Sequence, residues 1–583
     1  MPDPSSTLGI VASPMELPTG SRTWGHGGWV APEEREALDW LTLGRLLGWS
    51  TTVGAGASAV ELGTRALVIA CDPESLGANA VARLKARLRA ERLLVVGRAV
   101  SRRHPLAALA GAWRGGDVQV CSELAWSANG RAERRVLNAG ITVSRLSVVS
   151  GVEVWATLDG APALTIRPVG HGSVATLAFH PSAARDVTGA ASVLLRRVLV
   201  EGIAVPAAWL DLEQTLVLRM DDPGSAQKVY CQGWCYEPLG EAAWATIADD
   251  LRRRGARVSI GYTPGWVDDG DSGRGRLSIG GQSSARRAGA VHPSALVRYV
   301  DVAGHAPGRV NDYEAEFRGI QILRRAGLGE VELHGYTHMS ADRARWAAAH
   351  DRYNEHGWYR ELGRSPVVEA DAPGPDALAL GIAAFERWFG IRPTTLVPPG
   401  DQFSEATLQC ALRLRLSFVD SYYLALRDGD RFCWCQHVCS PYLNEPAASW
   451  FEAGLPVVGY FHDYELSTHG ALWMTRWLDA WQAAGAARFM DFRELAAAVG
   501  RRLEIADDGT VVTLEEANAP ALVRPLRVAL WVPTGVPSVV SVRRGHEEEY
   551  LEPFRVAAGH SVIEIPPRLD CVPSGLAARP SRC

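Results

Sequence analysis

The chain has 583 residues, of which 47% are hydrophobic and 21% charged. That balance belongs to an ordinary globular protein of about three to four domains, not to a disordered, collagenous or coiled-coil chain. Its 60 basic and 65 acidic side chains leave a net charge of −5, so no basic field favours a nucleic-acid partner, and the longest apolar runs fall far short of the roughly 20 residues of a membrane helix.

Residues 1–22 are rich in Pro, Ser and Gly and are expected to form a flexible leader. They show neither a basic n-region nor a continuous apolar stretch, so no secretory signal is read there and a cytoplasmic location is expected. Ten cysteines in a chain of this length fit a reducing compartment. Residues 23–205 are expected to form an α/β domain, open to a role in substrate recognition. Residues 34–48 have a helical pattern. Residues 66–71 (ALVIAC) read as a buried strand, and a helix over 79–91 and a strand over 92–96 complete a βαβ unit. No glycine-rich nucleotide fingerprint accompanies it. Its second half turns strand-rich, at 152–157, 163–168 and 172–179.

From 206 to 503 strands and helices alternate. Strands are expected at 214–220, 257–262, 330–333, 395–397, 457–461 and 487–490. Helices are expected at 240–255, 313–327, 375–390, 404–414, 475–485 and 491–499. A parallel β/α barrel is the economical α/β architecture for such a pattern. Residues 264–312 lack periodicity and read as a long loop. Residues 504–583 hold short strands without helices and are expected to form a small β-sandwich-like domain.

Three strings in the 206–503 region carry chemistry. In Leu218-Arg219-Met220-Asp221-Asp222-Pro223-Gly224 two adjacent carboxylates end a strand. They repel unless a cation or a shared proton relieves them, although Asp-Pro-Gly is also good turn chemistry. In Glu332-Leu333-His334-Gly335-Tyr336-Thr337-His338 two histidines at i and i+4 share one side of a helical turn and can bind one ion. Val457-Val458-Gly459-Tyr460-Phe461-His462-Asp463 is an apolar strand ending in a histidine. Each string alone also has a structural explanation; what they share is a polar residue at a strand end, where barrel sites are built.

Taken in order, with Pro398-Pro399-Gly400 between the second and third, these strings resemble the polysaccharide deacetylase superfamily. This group comprises the NodB-homology domains of carbohydrate esterase family 4, and the likeness is to a divergent branch whose histidine motif reads HGYTH. The resemblance covers about half the chain, roughly 206–503. It implies a distorted β/α barrel that removes acetyl groups from N-acetylated sugars with one divalent metal. By residue, it implies Asp221 as general base, Asp222, His334 and His338 as metal ligands, and His462 as general acid. It also implies that Pro399, Gly400 and Asp401 border the substrate. Zinc is the expected ion, with cobalt or nickel as substitutes. The expected partner is an N-acetylated sugar or related small molecule, with no nucleic acid and no membrane span. Two departures stand out. Pro223 and Gly224 are in reverse order, and no arginine precedes Pro398-Pro399. The family's Asp-containing motif that orients the base is not recognisable either; Asp420 is a weak substitute for it. Two alternatives remain: a hydrolase of a non-sugar N-acyl or C–N compound, and a catalytically silent carbohydrate-binding protein.

Other clusters read as packing. Cys433, Cys435, His437 and Cys439 have no standard zinc spacing. Cys231 and Cys235 are expected to pack a loop, and Trp473, Trp477 and Trp481 one face of a helix. Trp234, Trp266 and Trp358, in expected loops, are candidate sugar platforms.

Overall fold

A computed structural model describes residues 6–13, 32–128, 131–181, 190–202, 205–303, 306–348, 358–362, 375–421, 423–429, 431–439, 451, 454–506, 511–515, 520–533, 539–544, 549–550 and 554–567. The N-terminal part is built on one nine-stranded sheet. Its strands run in the order Thr51–Ala55, Ser6–Ala12, Thr64–Ile69, Leu94–Arg98, Gly172–Leu177, Ala161–Val169, Glu153–Leu158, Ala112–Ala128 and Arg131–Val148. The first five are parallel and the rest antiparallel. Two segments of this sheet depart from expectation. Ser6–Ala12, expected in a flexible leader, is a strand paired on both sides, because Leu8, Ile10 and Val11 are fully buried between its neighbours and the flanking helices. The long hairpin of 112–148 has no counterpart among the strands expected from the sequence.

The central sheet positions the site. Its strands are β1 (Thr215–Asp221), β2 (Val258–Tyr262), β3 (Gly329–Leu333), β4 (Thr395–Leu396), β5 (Phe418–Asp420), β6 (Tyr423–Asp428), β7 (Arg431–Cys439), β8 (Val457–His462) and β9 (Arg488–Met490). They run β7-β6-β5-β4-β3-β2-β1-β8, with β9 also on β1. All are parallel except the antiparallel hairpin β6–β7. The sheet is mixed α/β as expected, but among the described residues no pairing joins β7 to β8 into a closed barrel.

Alternation along β1 sorts its side chains between two faces. Leu216, Leu218 and Met220 are fully buried against Trp244, Ile247 and Leu251 of the helix Glu241–Arg254. Each such side chain contributes about 1.5–3 kcal/mol. Val217 points to the other face, against Val397, Phe418 and Phe492. With a period of two, Arg219 and Asp221 continue that second face.

Residues 264–303 and 306–312, within a segment expected as a loop, carry short paired strands. Gly265–Val267 pairs with Val291–Pro293, and Leu277–Ile279, Gln282–Ser284, Val297–Val300 and Val310–Asp312 make a four-stranded sheet. Buried ion pairs hold it: Arg274 with Asp269 at 2.8 Å and Asp301 at 3.3 Å, and Arg286 with Asp268 at 3.3 Å. Toward the C-terminus two small sheets form. Ala207–Leu210, inside the span expected for the barrel, pairs with Leu526–Val532, which also pairs with Gly559–Ile565. Among the described residues no helix is long and apolar enough to cross a membrane.

Candidate functional site

Asp221 ends β1, His334 follows β3, Pro398 to Asp401 follow β4, Asp420 ends β5 and His462 ends β8. All lie at the C-terminal ends of parallel strands. There the chain turns back and leaves backbone and side chains free to line a pocket.

Asp222, His334 and His338 are buried, and their ligand atoms lie within 4.8 Å of one another. Asp222 Oδ1 is 3.3 Å from His334 Nε2 and 3.2 Å from His338 Nε2. His334 Nδ1 lies 2.9 Å from the Val397 carbonyl. A carbonyl only accepts, so Nδ1 carries the proton and the neutral ring turns its Nε2 lone pair on Asp222. An acceptor then faces an acceptor in a dry place, and only a proton or a cation satisfies the pair. His338 Nδ1 is buried with no hydrogen-bond partner. This donor set fits a divalent cation held by three protein groups with open positions. Burial pushes the Asp222 carboxyl up, but the neighbouring His334 and His338 rings outweigh it and hold its pKa well below the usual value. Burial pushes His334 down, and Asp222 and Asp221 more than reverse that.

The backbone is strained where these groups sit. Asp222 (φ 82°), His338 (φ 61°) and Asp401 (φ 57°) all occupy the left-handed region, at a cost of about 1–3 kcal/mol each. Gly224 (φ 82°) explains the reversed Pro-Gly order: its N–H donates to Glu316 at 2.7 Å, and a Cβ there would collide with the Thr263 carbonyl.

Asp221 has one dominant partner, Arg219. Its guanidinium donates to Asp221 through Nε at 2.9 Å and Nη2 at 2.5 Å, to Asp420 at 2.8 Å and to Asp401 at 3.0 Å. It is 1% exposed and lies 4.7 Å from the centre of the Tyr460 ring. Burial pushes the Asp221 carboxyl up, but Arg219 and His334 outweigh it, so the group is ionised at neutral pH. The arginine absent before Pro398 is thus matched by one on β1 itself, two residues before Asp221. That i, i+2 spacing on a strand was the available signal for it. Asp401, expected at the substrate, has its carboxylate engaged by Arg219. Pro399 is buried, and Gly400 is half-buried beside Tyr359.

His462 stands opposite Asp221 in the β1–β8 register. Burial lowers its pKa, opposed by Asp222, Asp221 and Asp401. The nearest carboxylate on its own helix is Glu465, which accepts the His462 backbone N–H at 2.7 Å and lies 3.8 Å from Nδ1. Trp234 meets His462 edge-on at 4.9 Å, stacks on Tyr464 at 4.3 Å and donates its indole N–H to Asp222 at 3.0 Å. Of the three tryptophans expected as sugar platforms, Trp234 is half-buried at the site. Trp266 and Trp358 are 0% and 2% exposed and belong to the core of the 264–312 segment. Trp481 packs in the central core as expected.

A second residue, Glu361, is not foreshadowed by the sequence. It accepts from the backbone N–H groups of Tyr336 (2.7 Å), Thr337 (3.0 Å) and His338 (3.2 Å), and from the Thr337 hydroxyl (2.7 Å). It clamps the loop that carries both histidines, and Gly335 is required because a Cβ there would collide with Glu361 and Pro399. No local pattern around Glu361 announces it. Cys235 Sγ accepts from Arg309 at 2.6 Å and Cys231 is a buried thiol, as loop packing requires. The side chains of Cys433, Cys435 and Cys439 lie outside the described residues.

No protein-family model matches the sequence, and no curated protein does. Solved polysaccharide deacetylases are among the structures this chain resembles. Agd3, described as a novel carbohydrate deacetylase, is 11% identical over 96% of this chain and 98% of that one, with a TM-score of 0.38. A Mycobacterium smegmatis protein assigned to the polysaccharide deacetylases is 11% identical over 51% of this chain and 93% of its own, with a TM-score of 0.30. A CE4 family pseudoenzyme of Bacillus anthracis is 8% identical over 49% and 66%, with a TM-score of 0.26. The chain spans 35% and 28% of the length of a mannosidase and a β-galactosidase that it also matches. The chemistry of the site rests on its own residues.

Proposed function

We propose that this chain is a metal-dependent amide hydrolase that removes the acetyl group from an N-acetylated amino sugar or a compound containing one. The observation that carries this reading is the buried cluster of Asp222, His334 and His338 beside an ionised Asp221 and, on the neighbouring strand, His462. Asp222, His334 and His338 would hold the ion, zinc first, with cobalt or nickel as substitutes. A divalent cation bound there supplies Lewis acidity, polarising a carbonyl oxygen and acidifying water.

The chain's own groups do the rest. Asp221, ionised and held by the Arg219 fork, accepts the proton of the water that attacks the amide carbon. The turn Pro399–Asp401 borders the carbonyl, with the Gly400 N–H as a donor to its oxygen. His462, in its protonated form, gives its proton to the departing amine nitrogen, so that acetate and the free amine leave; because burial lowers its pKa, that form is the minor one at neutral pH and this step weakens as pH rises. The stacked pair of Trp234 and Tyr464 offers the flat apolar surface that sugar C–H groups pack on.

The test is acetate release from a panel of N-acetylated sugars, monomers and oligomers, by the metal-loaded full-length chain. Turnover of any member above a metal-stripped control supports the reading. A chain that binds metal and releases no acetate from any of them sinks it. One variant separates the acid from a structural histidine. His462→Ala is expected to keep its metal and to lose kcat for amides by about 10²–10⁴-fold. An activated ester, whose leaving group needs little protonation, is expected to be spared. Equal losses on both substrates would remove His462 from the role of acid.

A further inference from the structure

The site stands on a buried cation that takes no part in the chemistry above. Lys228, on the short helix Gln227–Tyr230, is fully buried, and its ammonium donates to Glu316 Oε1 at 2.9 Å and to Asp463 Oδ2 at 2.6 Å, both fully buried too. Each of these carboxylates spends its second oxygen on the metal-ligand turn. Glu316 Oε2 accepts the N–H of Gly224 at 2.7 Å, two residues after Asp222. The Tyr236 hydroxyl lies 2.5 Å from Asp463 Oδ1 and 3.3 Å from Asp222 Oδ2, so its one proton is shared between the two carboxylates and links them. The ammonium also sits 5.2 Å and 5.5 Å from the centres of the Tyr236 and Tyr313 rings.

Two arms therefore leave one buried ammonium and close on the same turn, one on its backbone and one on the side chain of Asp222. Stability does not account for such a cluster. Taking an ammonium and two carboxylates out of water is expensive, and an apolar replacement of equal volume is often neutral or stabilising. Fixed geometry at Asp222 does account for it. Partners of a ligating carboxylate set its orientation, and losing one typically costs about 10–100-fold in metal affinity.

Resting on the metal reading above, we propose that Lys228 is a positioning residue for the metal site. Through Asp463 and Tyr236 on one side and Glu316 on the other, it holds the Asp222 carboxylate in its ligating orientation. Without the ammonium nothing links Asp463 to Glu316, and both arms slacken.

The test is the dissociation constant of the full-length, metal-stripped chain for Co2+ and Zn2+, measured against a chromogenic chelator, with the visible spectrum of the Co2+ form as a second readout. Tyr236→Phe, which removes one oxygen, is expected to weaken both ions about tenfold or more and to shift the Co2+ bands. Lys228→Met is expected to weaken them further. In the Lys228→Met/Tyr236→Phe double variant the tyrosine change is expected to add little, because its arm is already slack. If Lys228→Met fails to fold, Tyr236→Phe and Glu316→Gln, each cutting one arm, carry the test. Folded Tyr236→Phe and Glu316→Gln proteins with wild-type dissociation constants and an unchanged Co2+ spectrum would overturn the proposal while leaving the metal reading intact. Fully additive losses at Lys228 and Tyr236 would also overturn it. A wild-type chain that binds neither ion overturns both.

Discussion

Asp221→Asn is expected to keep its full complement of metal and to lose about 10²–10⁴-fold in kcat for acetate release. An amide has the shape of the carboxylate but cannot take a proton from water. The fold should survive, because Arg219 keeps the carboxylates of Asp420 and Asp401 as partners and is not left as a lone buried charge. Metal content by elemental analysis and kcat on the best substrate of the panel check this together. A fall in metal occupancy as deep as that of Asp222→Ala would mean that the roles of the two adjacent aspartates are reversed.

The His334→Ala/His338→Ala double variant is expected to drop from about one ion per chain to background, and acetate release with it. Two of the three ligands are gone, and Asp222, still tied to Trp234 and Tyr236, is a single carboxylate of low affinity. Thermal unfolding gives an independent check. A ligand that binds only the folded state stabilises it, by about 2.7 kcal/mol at a free concentration of 100 times its dissociation constant. Added zinc should therefore raise the wild-type melting temperature and leave that of the double variant where it was. Equal metal content in the two proteins would remove these histidines from the metal site.

Much of the candidate site is visible along the chain because each part of it is local. Asp221-Asp222, the His334/His338 pair and His462 each end or follow a short apolar strand, and a run of buried β-residues closing on a polar group is a pattern of a few consecutive positions. The same holds for the helices Glu241–Arg254, Tyr313–Arg325 and Phe492–Val499, each with an apolar stripe, and the last two with an aspartate side chain, Asp312 and Asp491, capping them from the residue before the helix.

Where periodicity was silent, the stabilising contacts are polar or distant. The 264–312 segment is held by Arg274 and Arg286 on three aspartates, which read as hydrophilic loop. Ser6–Ala12 reads as leader because its composition is that of one, yet its two neighbours in the sheet bury it. Arg219 was in plain sight two residues before Asp221, but Asp420 and Asp401, the groups that give it meaning, are about 200 residues away along the chain. Glu361 and Lys228 have no local signature at all, and neither does the choice between Trp234 at the site and Trp266 in the core. The sequence by itself determined most of the parallel strands and helices around the candidate site and the polar residues that end them, since those depend on backbone period and side-chain polarity within a few residues. Only the tertiary structure decided which carboxylate each cation holds and which tryptophan borders the candidate site rather than the core, because burial and charge pairing depend on what other parts of the chain bring to the same place.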